Sequence, residues 1–452
     1  AQYSITEKLR TQYITSKTIS KIVGNLLNQI KFRIPETLPS DIVARYHLMT
    51  LHDALHKIHF PSIPDEIKKS RYRLRFEELF YIQLNLLRFK SNRSRKYRGF
   101  VFSSVGNNFN SFYYNNLPFS LTEAQKRVIK EIRRDLGSGK QMNRLLQGDV
   151  GSGKTLVALM SMLIALDNGF QACLMAPTEI LAQQHFKTIS NSLAKINVPV
   201  KLLTGSTKTA ERKKILNELQ EGTLKILIGT HAVIEDVVQF KNLGIVIIDE
   251  QHRFGVKQRQ ALQARQNEGL VPHLLSLSAT PIPRSIMLTV YGELDVSLIQ
   301  QMPAGRKEVE TEIVAPTARA RLYAKIDKQI DAGSQVFVVC PLIESEDDSE
   351  DLAESELKSV ENEYKKLGQG VFKHRKIAMV HGKMKSEQKQ EIMVKFKARE
   401  FDILISTTVI EVGVDIPGAN VMLIEGAERF GLAQLHQLRG RVGRGTEQAY
   451  CY

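Results

Sequence analysis

The sequence predicts an α/β protein: two tandem doubly wound parallel-sheet domains preceded by a mainly helical, basic segment. Three observations predict it. From Leu117 onward, apolar runs of strand length alternate with helical stretches, as in successive βαβ units. A stretch bearing Pro303 and Gly305, Gln301–Lys307, interrupts that alternation, which then resumes. Before Leu117 the apolar residues recur at helical spacing instead. The boundaries are therefore 1–116, 117–300 and 301–452, and 452 residues suffice for two or three cores.

In the first segment, Ile19–Ile30 carries apolar residues at helical spacing. Ser40 or Asp41 suits an N-cap, and another helix begins near Thr50. Pro61 and Pro64 break it, because proline lacks the amide hydrogen and crowds the preceding turn. Ser70–Phe89 is expected as a long helix with Leu74, Leu79, Ile82, Leu86 and Leu87 apolar. Arg71, Arg73, Arg75, Arg88, Lys90, Arg93, Arg95, Lys96 and Arg98 decorate this helix and its exit. Such a run can track a phosphate backbone; a solvated helix face is the alternative. Asn107–Asn116, rich in Asn and aromatic residues, is expected as a loop.

The second segment contains the stretch around which the chain is organised. A short strand, Asn143–Gln147, runs into Gly148-Asp-Val-Gly-Ser-Gly-Lys-Thr155, which fits the phosphate-loop pattern G-x-x-x-x-G-K-[ST]. Gly148, Gly151, Ser152 and Gly153 suit a tight turn whose N–H groups form an anion nest. Lys154 would reach the β- and γ-phosphates of a nucleotide, and the Thr155 hydroxyl would ligate Mg²⁺. Thr155–Leu166 is apolar enough for a buried helix whose N-terminal dipole faces the phosphates. Further strands are expected at Ala172–Met175, Val200–Leu203, Leu224–Ile228, Ile245–Ile248 and Leu274–Leu277, with helices such as Glu179–Leu193 and Ala210–Glu221 between them. Ile245–Ile248 ends in Asp249-Glu-Gln-His252. A carboxylate at a strand end facing the phosphate loop suits Mg²⁺, which is the role expected of Asp249. Glu250 is placed to orient and activate the attacking water.

The third segment repeats the alternation without a phosphate loop, with strands expected at Thr311–Val314, Val336–Val339, Ile377–Val380, Ile403–Ser406 and Val421–Ile424. The acidic stretch Glu344–Glu356 reads as a loop entering a helix.

Charge adds a partner class. Lys and Arg exceed Asp and Glu by 63 to 48, and the excess is uneven: 19 against 8 through Asn116, 44 against 40 beyond it. That field favours a polyanion such as nucleic acid, with solubility charge as the bland alternative. No apolar run reaches the roughly 18 residues that span a bilayer, and no leader opens the chain, so no membrane role is expected. Cys173, Cys340 and Cys451 lie too far apart for a zinc or disulfide framework; Cys173 and Cys340, inside apolar strand-like runs, are expected as buried thiols, and a reducing cytoplasm fits. The chain opens Ala-Gln-Tyr without a methionine, as a fragment or trimmed chain would.

Asp249-Glu-Gln-His252 beside Gly148–Thr155 resembles superfamily 2 helicases and translocases, whose RecA-like domains are fuelled by ATP with Mg²⁺. Leu121-Thr-Glu-Ala-Gln125 resembles the motif in which Gln125 would read the adenine edge. Ala176-Pro-Thr178 and Gly229-Thr-His231 resemble strand-end motifs that grip nucleic acid, which implies contacts at Pro177, Thr178, Thr230 and His231. Ser278-Ala-Thr280 resembles the motif coupling hydrolysis to domain movement, and Gln251, His252 and Gln437 are implied in the same coupling. Ser406-Thr-Thr408 through Glu411-Val-Gly-Val-Asp415 resembles motif V, which implies nucleic-acid contacts at Thr407 and Thr408 and nucleotide contacts at Gly413 and Asp415. Gln437-Leu-Arg-Gly-Arg-Val-Gly-Arg444 resembles motif VI, whose Arg441 and Arg444 would act across the cleft as arginine fingers.

The finer resemblance is to the RecG family of DNA helicases. It is carried by Asp249–Val256, Ser278-Ala-Thr-Pro-Ile-Pro-Arg284, Tyr291–Ser297 and Pro303-Ala-Gly-Arg306, and ahead of them by Leu55–Pro61 and Arg73–Leu79. It implies an ATP-driven motor on branched or forked DNA that reverses replication forks and migrates junctions in recombination and repair. A cytoplasmic monomer is expected, with Arg93, Arg95 and Lys96 on the DNA backbone. The family's OB-type wedge and C-terminal helical hairpin are not read in this sequence, so fork-specific unwinding by this chain is not expected. The rivals are a transcription-coupled repair translocase, a nucleotide-gated DNA-binding module with little motor activity, and an RNA helicase.

Overall fold

The computed structural model describes residues 2–30, 34–117, 119–250, 269–280, 294–301, 307–341, 352–407, 416, 418–443, 445 and 447–452, with backbone alone at 94, 96, 352–358 and 386. By packing, the chain divides at Asn92 into a helical unit and an α/β unit.

The helical unit contains α1 (Glu7–Thr11), α2 (Ser16–Gln29), α3 (Ser40–Arg45), α4 (Leu51–His59) and most of α5 (Pro64–Lys96). Thr15 and Thr50 cap α2 and α4 through their hydroxyls. α5 starts earlier than the Ser70 expected from periodicity, because Pro64 occupies the first turn, where a missing N–H costs nothing. Arg73 departs from its expected place on a basic surface. It is fully buried and paired with Glu36 and Glu77. Burial would push the Glu36 carboxyl up, but the Leu51 and Leu38 N–H groups and Arg73 hold it below the usual range.

The α/β unit begins with the end of α5 and β1 (Arg98–Gly99). His273 ties this stretch to the sheet: Met142 N–H donates to Nδ1 at 2.9 Å, and Nε2 donates to the Phe100 carbonyl at 2.8 Å. Burial lowers the His273 pKa to about 4, so the ring is neutral. Asn107–Asn116, expected as a loop, is instead helical: α6 (Asn107–Ser111) continues into a π-type turn, Phe112–Asn116. The reason is remote in sequence. The Asp167 carboxylate accepts the backbone N–H groups of Gly106, Asn108 and Phe109 and so caps α6.

α7 (Glu123–Leu136) follows, then β2 (Asn143–Gly148), α8 (Lys154–Asp167), β3 (Gln171–Met175), α9 (Glu179–Leu193), β4 (Val200–Leu203), α10 (Thr209–Glu221), β5 (Ile226–Gly229), β6 (Leu243–Asp249), β7 (Leu270–Val271), β8 (His273–Ser278) and β9 (Asp295–Ile299). The strands form a seven-stranded parallel sheet in the order β4-β5-β3-β6-β8-β2-β9, while β1 pairs with β7. Alternate residues serve opposite faces. Ala172, Leu174, Ile226, Ile228, Ile245 and Ile247 join the core with α7 and α8, and Cys173, Met175, Leu227, Val246 and Ile248 join the one with α10. β9 was not expected from the apolar pattern; it pairs with β2 along its length at the sheet edge.

The second sheet contains β10 (Glu310–Thr311), β11 (Gln335–Val339), β12 (Ile377–Val380), β13 (Ile403–Ser406), β14 (Ala419–Ile424) and β15 (Tyr450–Cys451), parallel in the order β10-β15-β14-β11-β13-β12. It is covered by α11 (Arg319–Asp331) and α12 (Leu352–Lys366) on one face and by α13 (Ser386–Lys397) and α14 (Leu432–Arg439) on the other. The expected strand Thr311–Val314 is confined to Glu310–Thr311, and Glu344–Asp351 of the expected acidic loop lies outside the described residues. Cys173, Cys340 and Cys451 are free and buried, and burial pushes the Cys340 and Cys451 thiols up to about 12 and about 11. No helix among the described residues is long and apolar enough to cross a membrane.

Candidate active site

The site forms where β2 gives way to α8, at the C-terminal edge of the first sheet. Gly151 and Gly153 take φ of +81° and +87°, a left-handed conformation that glycine adopts without cost. Space also demands glycine: a Cβ on Gly153 would lie 2.2 Å from Gln125 Nε2, and one on Gly148 would lie 2.6 Å from Ser152 Oγ. No side chain among the described residues caps α8, so its first N–H groups suit an anion. The buried Ser152 hydroxyl has no hydrogen-bond partner among the described residues.

Lys154 folds back over this loop. Its Nζ donates to the carbonyls of Gly148 at 2.6 Å and Asp149 at 2.9 Å. Burial lowers its pKa to about 8, against the opposing charges of Asp249, Glu250 and Asp149; Arg441 lowers it further. A bound triphosphate adds negative charge and raises it again. Near pH 8.5, where free Lys154 is partly neutral, nucleotide binding should take up a fraction of a proton that it does not take up near pH 7. Calorimetric titrations in buffers of different ionisation enthalpy measure this uptake, and an enthalpy independent of buffer at both pH values would contradict it.

Asp249 ends β6, two strands from the glycine loop, since β8 lies between β6 and β2. Its Oδ2 is 2.7 Å from His185 Nε2, and its Oδ1 accepts the Glu250 N–H at 3.1 Å. Burial would raise its pKa; His185, Lys154 and the Glu250 N–H outweigh burial and keep it ionised. Glu250 has φ +51°, a strained conformation for a residue with a side chain, of a kind found at functional sites.

The second sheet contributes Arg441, which follows α14 and is buried. A Cβ on Gly440 would lie 2.8 Å from Val150 Cγ2, so this turn lies directly against the glycine loop. Gln437 is buried in the same helix, and Arg444 lies outside the described residues.

The other expected site residues are placed as follows. Gln125 does not face open space: Nε2 donates to the Ser152 carbonyl at 2.8 Å, and Oε1 accepts the Thr122 N–H at 2.9 Å, so the amide braces the glycine loop. Pro177 and Thr178 follow β3, and the Thr178 hydroxyl caps α9. His231 is exposed at the end of β5, but Thr230 beside it and Thr407 after β13 are buried, with hydroxyls turned away from solvent. Any nucleic-acid contact by those two hydroxyls would need their loops to open. Ser278 and Thr280 bond each other through their hydroxyls at 2.7 Å, and the Thr280 carbonyl accepts Gln147 Nε2 at 3.1 Å. Arg93 donates to Gln141 at 3.1 Å, Arg95 is exposed, and the Lys96 side chain is outside the described set. Gln251, His252, Thr408, Gly413 and Asp415 also lie outside the described residues. Sequence reasoning missed Gln147 and His185, since a Gln in a strand and a His in a helix carry no spacing signal.

The donor set fits a triphosphate with a hard divalent cation. The loop backbone and Lys154 suit phosphate, while Thr155 and Asp249 supply the one hydroxyl and one carboxylate that Mg²⁺ takes when phosphate oxygens fill other positions. Among the described residues, no three His, Cys, Asp or Glu side chains gather as a metal cage, so a cation here would depend on the nucleotide.

Two protein-family models match the chain: the DEAD/DEAH box helicase over residues 122–289, and the helicase conserved C-terminal domain over 320–446. The ATP-dependent DNA helicase RecG of Synechocystis is 45% identical over 441 residues, covering 98% of this chain and 52% of that protein. The Thermotoga maritima protein of the same name is 46% identical over 442 residues, covering 98% of this chain and 55% of its own. The chain thus spans about half the length of these curated relatives. The solved structure of RecG bound to three-way DNA junction matches with a TM-score of 0.77 at 43% identity, over 99% of this chain and 57% of that one. Saccharomyces cerevisiae Dbp5 bound to RNA and ADP BeF3 matches at 15% identity and a TM-score of 0.55, over 77% of this chain and 87% of that one, a likeness of fold alone.

Proposed function

We propose that this chain, similar over nearly its whole length to the RecG helicases, carries the motor of an ATP-dependent DNA helicase acting on branched DNA. Fork reversal and junction migration in recombination and repair are the work assigned to it, in a bacterial cytoplasm and as a monomer. Its parts are a basic helical segment through residue 116, a nucleotide-binding domain to residue 300 and a second RecA-like domain beyond. One observation carries the reading: Lys154 on the glycine loop feels the charges of Asp249 and Glu250 from the end of β6 and of Arg441 from the second sheet, whose turn at Gly440 lies against Val150 of that loop.

In this reading Lys154 exchanges the Gly148 and Asp149 carbonyls for phosphate oxygens. Thr155 and Asp249 would hold Mg²⁺, which would supply positive charge against the phosphate oxygens. Glu250 orients a water and accepts its proton as the water oxygen bonds to the γ-phosphorus and the bond to the leaving phosphate breaks. Arg441 meets the charge that develops there. Hydrolysis then requires both domains to face the same phosphate, and their movement shifts the strand-end loops at Thr178 and His231 along DNA, whose backbone contacts carry little sequence information.

ATP turnover measured with linear, forked and four-way DNA and with RNA duplex tests the reading, with stimulation by DNA, forked and four-way DNA included, expected to exceed that by RNA. Equal stimulation by every DNA duplex would favour a repair translocase, greater stimulation by RNA an RNA helicase, and none by any DNA a nucleotide-gated module.

Neutralising Arg93, Arg95 and Lys96 together should weaken DNA binding. The slope of log affinity against log salt should flatten by about one unit for each phosphate that is no longer neutralised. An unchanged slope in binding titrations would assign that run to solvent.

A further inference from the structure

His185 lies in the middle of α9, two turns beyond the Thr178 cap, and its side chain is 10% exposed. Its Nε2 is 2.7 Å from Asp249 Oδ2. An ionised carboxylate can only accept, so Nε2 carries the hydrogen. The other oxygen, Oδ1, is held by the Glu250 N–H at 3.1 Å. With one donor on each oxygen the carboxylate is fixed in a single orientation, yet about half of its four acceptor positions remain for a cation. The two donors differ in origin. Glu250 is the next residue along the chain, whereas His185 comes from a separate helix. Lys154, the nearby cation, directs its hydrogen bonds to Gly148 and Asp149.

α9 has further ties. Its first turn carries Glu179, whose carboxylate accepts the backbone N–H and the hydroxyl of Ser206 at 3.2 and 3.0 Å, so the helix start is bonded to the loop after β4. His185 therefore joins Asp249 to a helix whose beginning is fixed by two strand-end loops.

We propose that His185 is a positioning residue: it holds Asp249 in the orientation that receives the divalent cation, so the cation's contribution to nucleotide binding depends on α9. This rests on the nucleotide reading above. Hydrogen-bond partners of metal-binding carboxylates typically change metal affinity by about 10- to 100-fold when removed.

The test needs no turnover. A fluorescent, non-hydrolysable ATP analogue is titrated into the chain in EDTA and in Mg²⁺, and the ratio of the two affinities gives the cation's contribution. In EDTA, wild type and His185→Ala should agree within about twofold, while the Mg²⁺ enhancement in the variant should shrink by about tenfold or more. His185→Gln, which keeps an N–H donor of similar reach, should recover most of it. His185→Met fills the same space without a donor, and it carries the test if thermal melts show that the alanine variant is unfolded. An enhancement equal to wild type in the alanine or methionine variant overturns the proposal, as does a loss of affinity in EDTA as large as that in Mg²⁺. A wild type that binds no analogue would overturn the nucleotide reading instead, and one that binds it equally with and without Mg²⁺ would overturn the proposal.

Discussion

Replacing Arg441 with alanine is expected to lower DNA-stimulated ATP turnover by roughly 10³- to 10⁵-fold while changing ATP affinity little. A transferring phosphoryl group calls for fixed positive charge, and Lys154 lies on the glycine loop where a phosphate would sit. Arg441 lies on a buried turn of the second sheet that abuts the glycine loop, and its charge adds a small part to the lowering of the Lys154 pKa that burial dominates. Two cations held close together repel each other until a polyanion arrives, so the arrangement favours a triphosphate and favours its transition state more. Gly440 makes the approach possible, since any side chain there would strike Val150. Single-turnover hydrolysis with ATP saturating measures the effect. A variant that turns over at the wild-type rate would remove the second domain from the chemistry as assigned.

Glu250→Gln should retain nucleotide binding and lose roughly 10²- to 10⁴-fold in turnover. The substitution keeps shape and reach but removes the basic oxygen. Glu250 sits at φ +51°, at a cost on the order of 1–3 kcal/mol that ordinary packing would not sustain without a compensating constraint. That turn places its backbone N–H on Asp249, so the residue also holds the carboxylate beside it. Binding of a fluorescent ATP analogue, measured beside turnover, separates the two steps. Equal loss in both would mean that the residue shapes the site and does not act as the base.

Much of this was legible in the chain because parallel sheets write themselves as apolar runs, and a phosphate loop writes itself as glycines at fixed spacing. What stayed hidden depends on remote partners. Asn107–Asn116 has no helical periodicity, and it becomes helical because Asp167, far along the chain, caps it. Arg73 looks like one more surface arginine until Glu36 and Glu77 enclose it. β15 is two residues long, too short to carry a pattern, and is held by pairing with β10 and β14. In the candidate site, Lys154, Asp249 and Glu250 are singled out by their motifs, and the structure places them near one another. The contact of His185 with Asp249 is not legible in the sequence, because it joins residues far apart along the chain. Gln125 was assigned to the adenine, yet in this structure both ends of its amide hold backbone of the loop and of its own helix cap.

The most direct measurement is a crystal structure of the chain with ADP and a γ-phosphate mimic such as aluminium fluoride. Lys154 should then have left the Gly148 and Asp149 carbonyls for the nucleotide, with the Arg441 guanidinium within about 3 Å of the mimic. A mimic bound in the glycine loop with Arg441 turned away from it, and Lys154 still on those carbonyls, would contradict a motor in which both domains act on one phosphate.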